Sequence, residues 1–331
     1  MKTTGSHIAF ALTCAIASAA PAHAADYPSR PVTLITSTPA GNGPDIIARI
    51  LADGLADLWK QRVLVENRPG GRAIVATLAA KKAPPDGYTL YVALGSTFVV
   101  LPEIQHHLPF DLDHDLEPIG IVAAQPFVIA VSPKLGVNTL DELVALSKRR
   151  PDEILYGTIW GSLPHLAFEL MQSKLGSKLK LVPYTSTPQA ITDVRGGSIP
   201  VVIESLSALA GPIRSGELKP LAVTAARRLA EFPTVPTIAE SLPGYEALGW
   251  FALMAPAHTP AEVIEKISAD LKTVLQATST RERYAKLGTY IMMKSPLEVG
   301  RYIRLQHDVM TPPIGRIGLA NKDTLAYLTG G

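Results

Sequence analysis

The stretch Val32-Thr-Leu-Ile-Thr-Ser-Thr-Pro-Ala-Gly-Asn-Gly-Pro-Asp-Ile-Ile-Ala-Arg49 decides the fold class. Val32 to Ile35 is a β-rich apolar run bounded by turn-formers, which predicts a short buried strand. Gly41, Asn42, Gly43 and Pro44 make a turn that neither strand nor helix absorbs. Beyond it, Ile46, Ile47, Ile50, Leu51, Leu55 and Leu58 recur at helical spacing. Pro44 suits the first helical position, with Gly43 as cap and Asp45 in the first turn, where a carboxylate complements the helix dipole. A strand, a glycine turn and a helix start leave backbone N–H groups free to attract an anion. Gly41-Asn-Gly43 opens like a dinucleotide fingerprint, but Ile46 stands at the third glycine and no Gly-Lys-Ser/Thr follows. Taken alone, the stretch also fits a tight connection that binds nothing.

Outward toward the N-terminus, residues 1–24 read as a signal peptide. Lys2 supplies the positive end, Ile8 to Ala20 the apolar segment and Ala22-His-Ala24 the small-residue cleavage site. The sole cysteine, Cys14, lies inside this leader, and lipoprotein cleavage before it would cut the apolar segment in half. A chain starting at Ala25 has no thiol for disulfides, catalysis or metal. Export without cysteine points to the bacterial periplasm. No later run approaches the roughly 18 apolar residues of a membrane span. A net charge of +2 argues against nucleic acid or an anionic membrane as the main partner. With 47% hydrophobic and 18% charged residues, the chain is built to bury cores rather than to stay disordered.

Toward the C-terminus, strand-like and helix-like segments alternate, the pattern of α/β layers. Strands are expected at 63–66, 88–94, 127–131, 155–158, 200–203 and 218–224. Helices are expected at 73–83, at 139–149 with Thr139 and Glu142 as a capping box, from His165 and at 188–195. Polar turns recur at the carboxyl ends of strands, over 37–45, 95–97, 158–165 and 204–207, the edge where open α/β sheets bind ligands. Candidate ligand contacts are Ser37, Thr38, Gly41, Asn42, Gly43 and Asp45 in the first turn, and Ser96 and Thr97 in the second. Trp160, Gly161, Ser162 and His165 represent the third, and Glu204 and Ser205 the fourth. Hydroxyls and amides dominate these turns and no arginine lies inside them, so the expected cradle is neutral and grips a small anion by dipoles.

Several of these side chains admit more than one reading. Trp160 either stacks on a ligand ring or fills the cleft edge. His165 either contacts ligand beside Ser162 or caps and packs its own helix. Glu204 faces a cationic group, orients Ser205, or is a buried structural carboxylate. Asp45 also fits as a loop-ordering residue, and Trp250 and Phe251 fit hinge core. A hydrolase would need a base against a nucleophile, which only Ser162 with His165 offers locally, without a Gly-x-Ser-x-Gly elbow. The cluster His106, His107, Asp111, Asp113, His114 and Asp115 imitates the start of a calcium loop. Leu116 replaces its glycine and Val122 its closing glutamate, so a solvated loop is expected and no metal or cofactor.

Short motifs run in order through nearly all of the chain beyond the leader: Tyr27-Pro-Ser-Arg-Pro31, Asp45-Ile-Ile-Ala-Arg49, Glu66-Asn-Arg-Pro-Gly70, Pro85-Asp-Gly-Tyr-Thr-Leu90, His165-Leu166, Val182-Pro-Tyr184, Gly196-Gly197, Leu221-Ala-Val-Thr224, Pro233-Thr-Val-Pro-Thr237, Pro243-Gly-Tyr245 and Trp250-Phe251. In these the chain resembles the tripartite tricarboxylate transporter substrate-binding proteins, the Bug or TctC family. The resemblance implies a type II-like two-lobed α/β periplasmic binding protein with its ligand cleft between mixed sheets flanked by helices. Lobe 1 would comprise 25–125 plus 248–331 and lobe 2 126–247, with crossovers through 110–126 and 245–255. It further implies a non-enzymatic monomeric receptor that captures a small carboxylate for membrane transporter subunits, or alternatively reports it to a sensor kinase. Loops 37–45 and 158–165 would be the main jaws. The chain departs from the family where Ser37-Thr38 replace a frequent Pro-Phe, Asn42 a glycine and Glu204 an aspartate. Gly71-Arg-Ala-Ile74 replaces a glycine-rich run with asparagine, Ile159-Trp160 stand where small residues are usual, and Thr311-Pro-Pro313 where tryptophan is frequent.

Overall fold

The computed structural model describes residues 27–105 and 107–316; the leader read over 1–24 and His106 lie outside them. In chain order the first elements are β1 (Val32–Thr36), α1 (Gly43–Trp59), β2 (Val63–Asn67), α2 (Ile74–Lys81), β3 (Thr89–Leu94), α3 (Gly95–Val99) and α4 (Leu101–Ile104). Then come β4 (Leu116–Val131), α5 (Leu140–Arg149), β5 (Leu155–Ile159), α6 (Leu163–Leu175), β6 (Lys180–Tyr184) and α7 (Thr187–Gly196). The remainder comprises β7 (Val201–Ser205), α8 (Leu206–Arg214), β8 (Lys219–Val223), α9 (Ile238–Ser241), β9 (Leu248–Pro256), α10 (Ala261–Gln276), α11 (Thr278–Lys286) and α12 (Pro296–Arg316).

Two lobes arise because one long strand changes partners. Leu116 to Pro126 of β4 pairs antiparallel with β9, completing a sheet in the order β2-β1-β3-β9-β4. From Phe127 onward β4 instead pairs with β7, and from Val128 with β8 on its other edge; β7, β5 and β6 continue the second sheet. Pro126 stands at the change, where a residue without an N–H cannot extend a regular ladder. Phe110 to Pro126, expected as a crossover segment, is thus largely strand, and register shifts beside Pro118 and after Ile121 bend it. Within each sheet, β1 and β5 are flanked by parallel neighbours. Such strands are covered on both faces and need apolar side chains on both. Val32, Leu34 and Ile35 are buried accordingly. All nine residues of β9 are buried, from Leu248 to Pro256.

Helix boundaries follow local chemistry with small corrections. Asn42, not Gly43, is the N-cap of α1, and Pro44 is its second residue. Thr139 caps α5 as expected, accepting from the Glu142 N–H at 3.1 Å, but Glu142 reaches back to the Asn138 N–H rather than to Thr139. The reciprocal box occurs instead at α9, between Thr237 and Glu240. The turn read over 95–97 winds directly into α3. Gly95 is dictated by packing: a Cβ there would lie 2.6 Å from the Trp250 ring, which stacks on Phe98 at 5.8 Å and meets Tyr302 edge-on. Replacing Gly95 by alanine is therefore expected to destabilise the protein by about 1–3 kcal/mol through overpacking. Urea unfolding of Gly95→Ala checks this; an unchanged midpoint would show that Trp250 shifts freely.

Candidate functional site

Between the lobes lies a cleft of about 430 Å³. The carboxyl ends of β1, β3, β5 and β7 meet it through Ser37, Leu94, Ile159 and Glu204. Because each of these strands runs straight into a helix or a helix-leading turn, the cleft wall also carries helix starts. Pro44 comes from the first turn of α1, Ser162 to Pro164 from the cap and first turn of α6, and Ser205 from the cap of α8. Leu94, Val100, Leu101, Ile104, Phe127, Ile159, Trp160, Trp250 and Phe251 make the remainder of the wall predominantly apolar.

Half of the expected contacts line this cleft: Ser37, Ser96, Trp160, Gly161, Ser162, Glu204 and Ser205. Thr38, Gly41, Asn42, Gly43, Asp45, Thr97 and His165 are not among its lining residues. Asp45 is buried and its carboxylate is consumed locally, accepting from the Gly41 N–H at 2.8 Å, Arg49 Nε at 2.9 Å and Asn67 Nδ2 at 2.7 Å. These bonds hold its carboxyl below the usual carboxylate range, the Arg49, Gly41 and Asn67 donors outweighing an opposing burial effect. Asp45 thereby fastens the turn 37–45 to β2, while Gly41 and Asn42 stay exposed at the rim. Thr97 is buried, its hydroxyl with that of Ser37 beside the Tyr91 hydroxyl.

His165 is likewise a loop-ordering residue. It is 1% exposed, and its Nδ1 accepts from the Gly161 N–H at 3.0 Å. That bond fixes the hydrogen on Nε2. The Ser162 hydroxyl donates to the Ile159 carbonyl at 2.6 Å and accepts from the His165 N–H at 3.3 Å. No hydroxyl-to-imidazole bond forms, so the pair lacks the contact that activates a serine nucleophile. The acidic loop before β4 is also committed elsewhere. Asp111 accepts from the Asp113 and His114 N–H groups, and Asp115 pairs with Lys81 at 2.7 Å.

Charge in the cleft corrects the expectation of a neutral cradle. Arg72 and Glu204 are the ionisable side chains on its wall. Glu204, 5% exposed, accepts from the Thr158 hydroxyl and the Ser205 N–H, both at 3.3 Å. Burial outweighs those donors and pushes its carboxyl from an ordinary 4.5 up to about 7. Arg72 reaches the cleft mouth from the turn before α2, with its guanidinium 5.8 Å from the centre of the Trp160 ring, inside cation–π range. Gln125 was also missed; it donates to Ser207 Oγ at 2.8 Å, extending a polar chain to the Ser205 hydroxyl beside the α8 start. The signal for Arg72 lay in the glycine pair before it. Gly70 and Gly71 have positive φ, and Arg72 and Ala73 continue the left-handed run at 52° and 83°.

Two buried groups give the cleft region opposite pH responses. Glu204 has a raised native pKa, so folding binds a proton between about pH 4.5 and 7 and stability falls as pH rises through that window. Burial pushes His165 from 6.5 down to about 4, so its contribution is lost as pH falls through that lower window. Glu204→Gln removes the first slope only. Relative to the parent, the variant is expected to gain up to about 3 kcal/mol as pH rises from the ordinary carboxyl range to neutrality. Urea unfolding of both proteins across this range checks it, since a constant difference would mean that Glu204 is not desolvated.

Comparison with known proteins places this geometry. The model of the tripartite tricarboxylate transporter family receptor matches residues 47–319. The chain is 37% identical over 268 residues to a UPF0065 protein of Bordetella bronchiseptica, covering 81% of this chain and 79% of that one. It is 35% identical over 288 residues to protein BugT of Bordetella pertussis, covering 86% and 88%. Among solved structures, Rpa4515 of R. palustris with adipate superposes with a TM-score of 0.75 at 28% identity, covering 88% of this chain and 99% of that one. Among the described residues no helix is long and apolar enough to cross a membrane. The chain belongs to the tripartite tricarboxylate transporter receptor family and is a periplasmic solute-binding protein.

Proposed function

We propose that the protein captures a small carboxylate in the cleft between its lobes and delivers it to the membrane subunits of a tripartite tricarboxylate-type transporter. The observation that carries this reading is the meeting of helix starts at the cleft, those of α6 and α8 from one lobe and the first turn of α1, through Pro44, from the other. Free N–H groups and aligned dipoles at helix starts favour an anion without requiring a cation. The adipate held by Rpa4515 supports the same ligand class. In this reading the lobes are residues 25–125 with 248–331 and residues 126–247, of which 25, 26 and 317–331 lie outside the described residues, and the leader 1–24 exports a monomer. Turn 37–45 supplies the general grip through the α1 start, whereas turn 158–165, with Trp160 on the wall, sets substrate choice. The acid leaves chemically unchanged, since the site offers donors but no activated nucleophile. A sensor kinase is the alternative recipient, because it would read the same closed form.

Thermal melting against a panel of small carboxylates tests the binding. A true ligand at 100 times its dissociation constant is expected to add about 2.7 kcal/mol. Turnover of any stabilising acid, followed by NMR of the mixture, would overturn the receptor reading. Closure is expected about β4 and β9, where the lobes join. Small-angle scattering should register compaction on saturation with the stabilising acid, and an unchanged radius of gyration would rule out hinge closure.

A further inference from the structure

The turn that delivers Arg72 to the cleft is conformationally costly. Residues 70 to 73 all have positive φ, and two of them, Arg72 and Ala73, carry a Cβ that the left-handed region disfavours. Strain held in this way persists where a side chain must be aimed, and clusters at binding sites. What it aims here is a guanidinium. Among the described residues no carboxylate lies within ion-pair distance of Arg72, including Glu204 in the same cleft. Arg72 is exposed at the mouth of this open cleft, and the protein around its guanidinium nevertheless lowers its pKa by partial burial. Across the cleft its guanidinium faces the Trp160 ring, which orients a planar cation without neutralising it. Closing the lobes would desolvate Arg72 further, and a buried charge without a partner is strongly unfavourable. The missing counter-charge has to arrive with the ligand.

We propose that Arg72 is the specificity-determining residue of the cleft, forming a two-pronged ion pair with a second carboxylate of the ligand. The first carboxylate occupies the helix starts, so the inference rests on the carboxylate reading of the site. The fork of a guanidinium matches the two oxygens of one carboxylate. Leu101, Ile104, Phe127 and Trp250 contribute apolar surface to the same cleft, and Glu204 is its other ionisable side chain. The preferred ligand is therefore an acid with two carboxylates on an apolar body, and acids with one carboxylate bind more weakly.

Calorimetric titration of the mature protein tests this with succinate, adipate, suberate and benzene-1,4-dicarboxylate. Each is paired with its one-carboxylate counterpart: butyrate, hexanoate, octanoate and benzoate. The parent should prefer at least one diacid over its counterpart by about 10- to 100-fold, the range of a charged hydrogen-bonded pair. Arg72→Gln should erase that preference while leaving the counterpart's affinity within about threefold, and Arg72→Lys should retain part of it. Arg72→Gly adds a readout that a structural role would not give. It relieves the left-handed strain, so the unliganded protein should melt higher even as diacid binding weakens. A parent that binds diacids and monoacids equally, or an Arg72→Gln variant that keeps the preference, overturns the inference and leaves the carboxylate reading standing. Binding of none of the eight acids by the parent overturns both.

Discussion

The antiparallel ladder between β4 and β9 is the constraint on which the architecture depends. It joins Leu116–Pro126 to Leu248–Pro256 at the inner edge of one sheet, and the continuation of β4 then founds the other. The two connections between lobes are therefore neighbouring hydrogen-bonded strands rather than independent tethers. Such a pair bends readily across its plane and resists sliding along its length. The bulges in β4 and the proline at the partner change concentrate that bending at one place. The aromatic stack of Phe98 on Trp250 braces this region from the lobe 1 side, and space for it exists only because residue 95 has no side chain.

On that frame the cleft combines two kinds of positive field. Helix starts give a diffuse, fixed potential that recognises an anion and little else. Arg72 adds a directional charge at the mouth, and Glu204 opposes it with a carboxyl that burial holds near its titration point at neutral pH. The polar residues not on the wall serve the same end indirectly. Asp45 and His165 each consume donors of their own loops, so the wall is presented by turns already hydrogen-bonded to themselves. Preorganisation of this sort lowers the ordering cost of binding.

How legible this was in the sequence depended on the range of the interactions concerned. Strand, turn and helix at 32–59 follow from periodicity and turn chemistry, which act over a few residues. Family motifs along the chain carried the two-lobed fold. The length of β4 was hidden, because Glu117, Pro118 and Pro126 interrupt any simple alternation and only the pairing with β9 accounts for them. In the site, turns were identifiable but side-chain direction was not. His165 and Asp45 sit in the expected turns and point into the protein, which depends on hydrogen bonds to Gly161 and Asn67. Arg72 stood out only as part of the departure at Gly71-Arg-Ala-Ile74 and not as a cleft residue, because its position across from Trp160 is a tertiary fact.

The position of β9 also dictates an order of assembly. In the sheet sequence β2-β1-β3-β9-β4, the strand made last occupies the place between β3 and β4, and every one of its residues is buried. During synthesis the chain has emitted both flanking strands, and all of the segment between Pro126 and Leu248, before that strand exists. Until it arrives, β3 and the first half of β4 are bare edges with no partner across the gap, the condition under which nascent chains pair wrongly. The intervening segment already holds its own sheet of β7, β5 and β6 and can fold first, bringing residues 126 and 248 together as it does so. The first lobe is thus finished only after the second, and a chaperone that shields strand edges meets its demand in that interval.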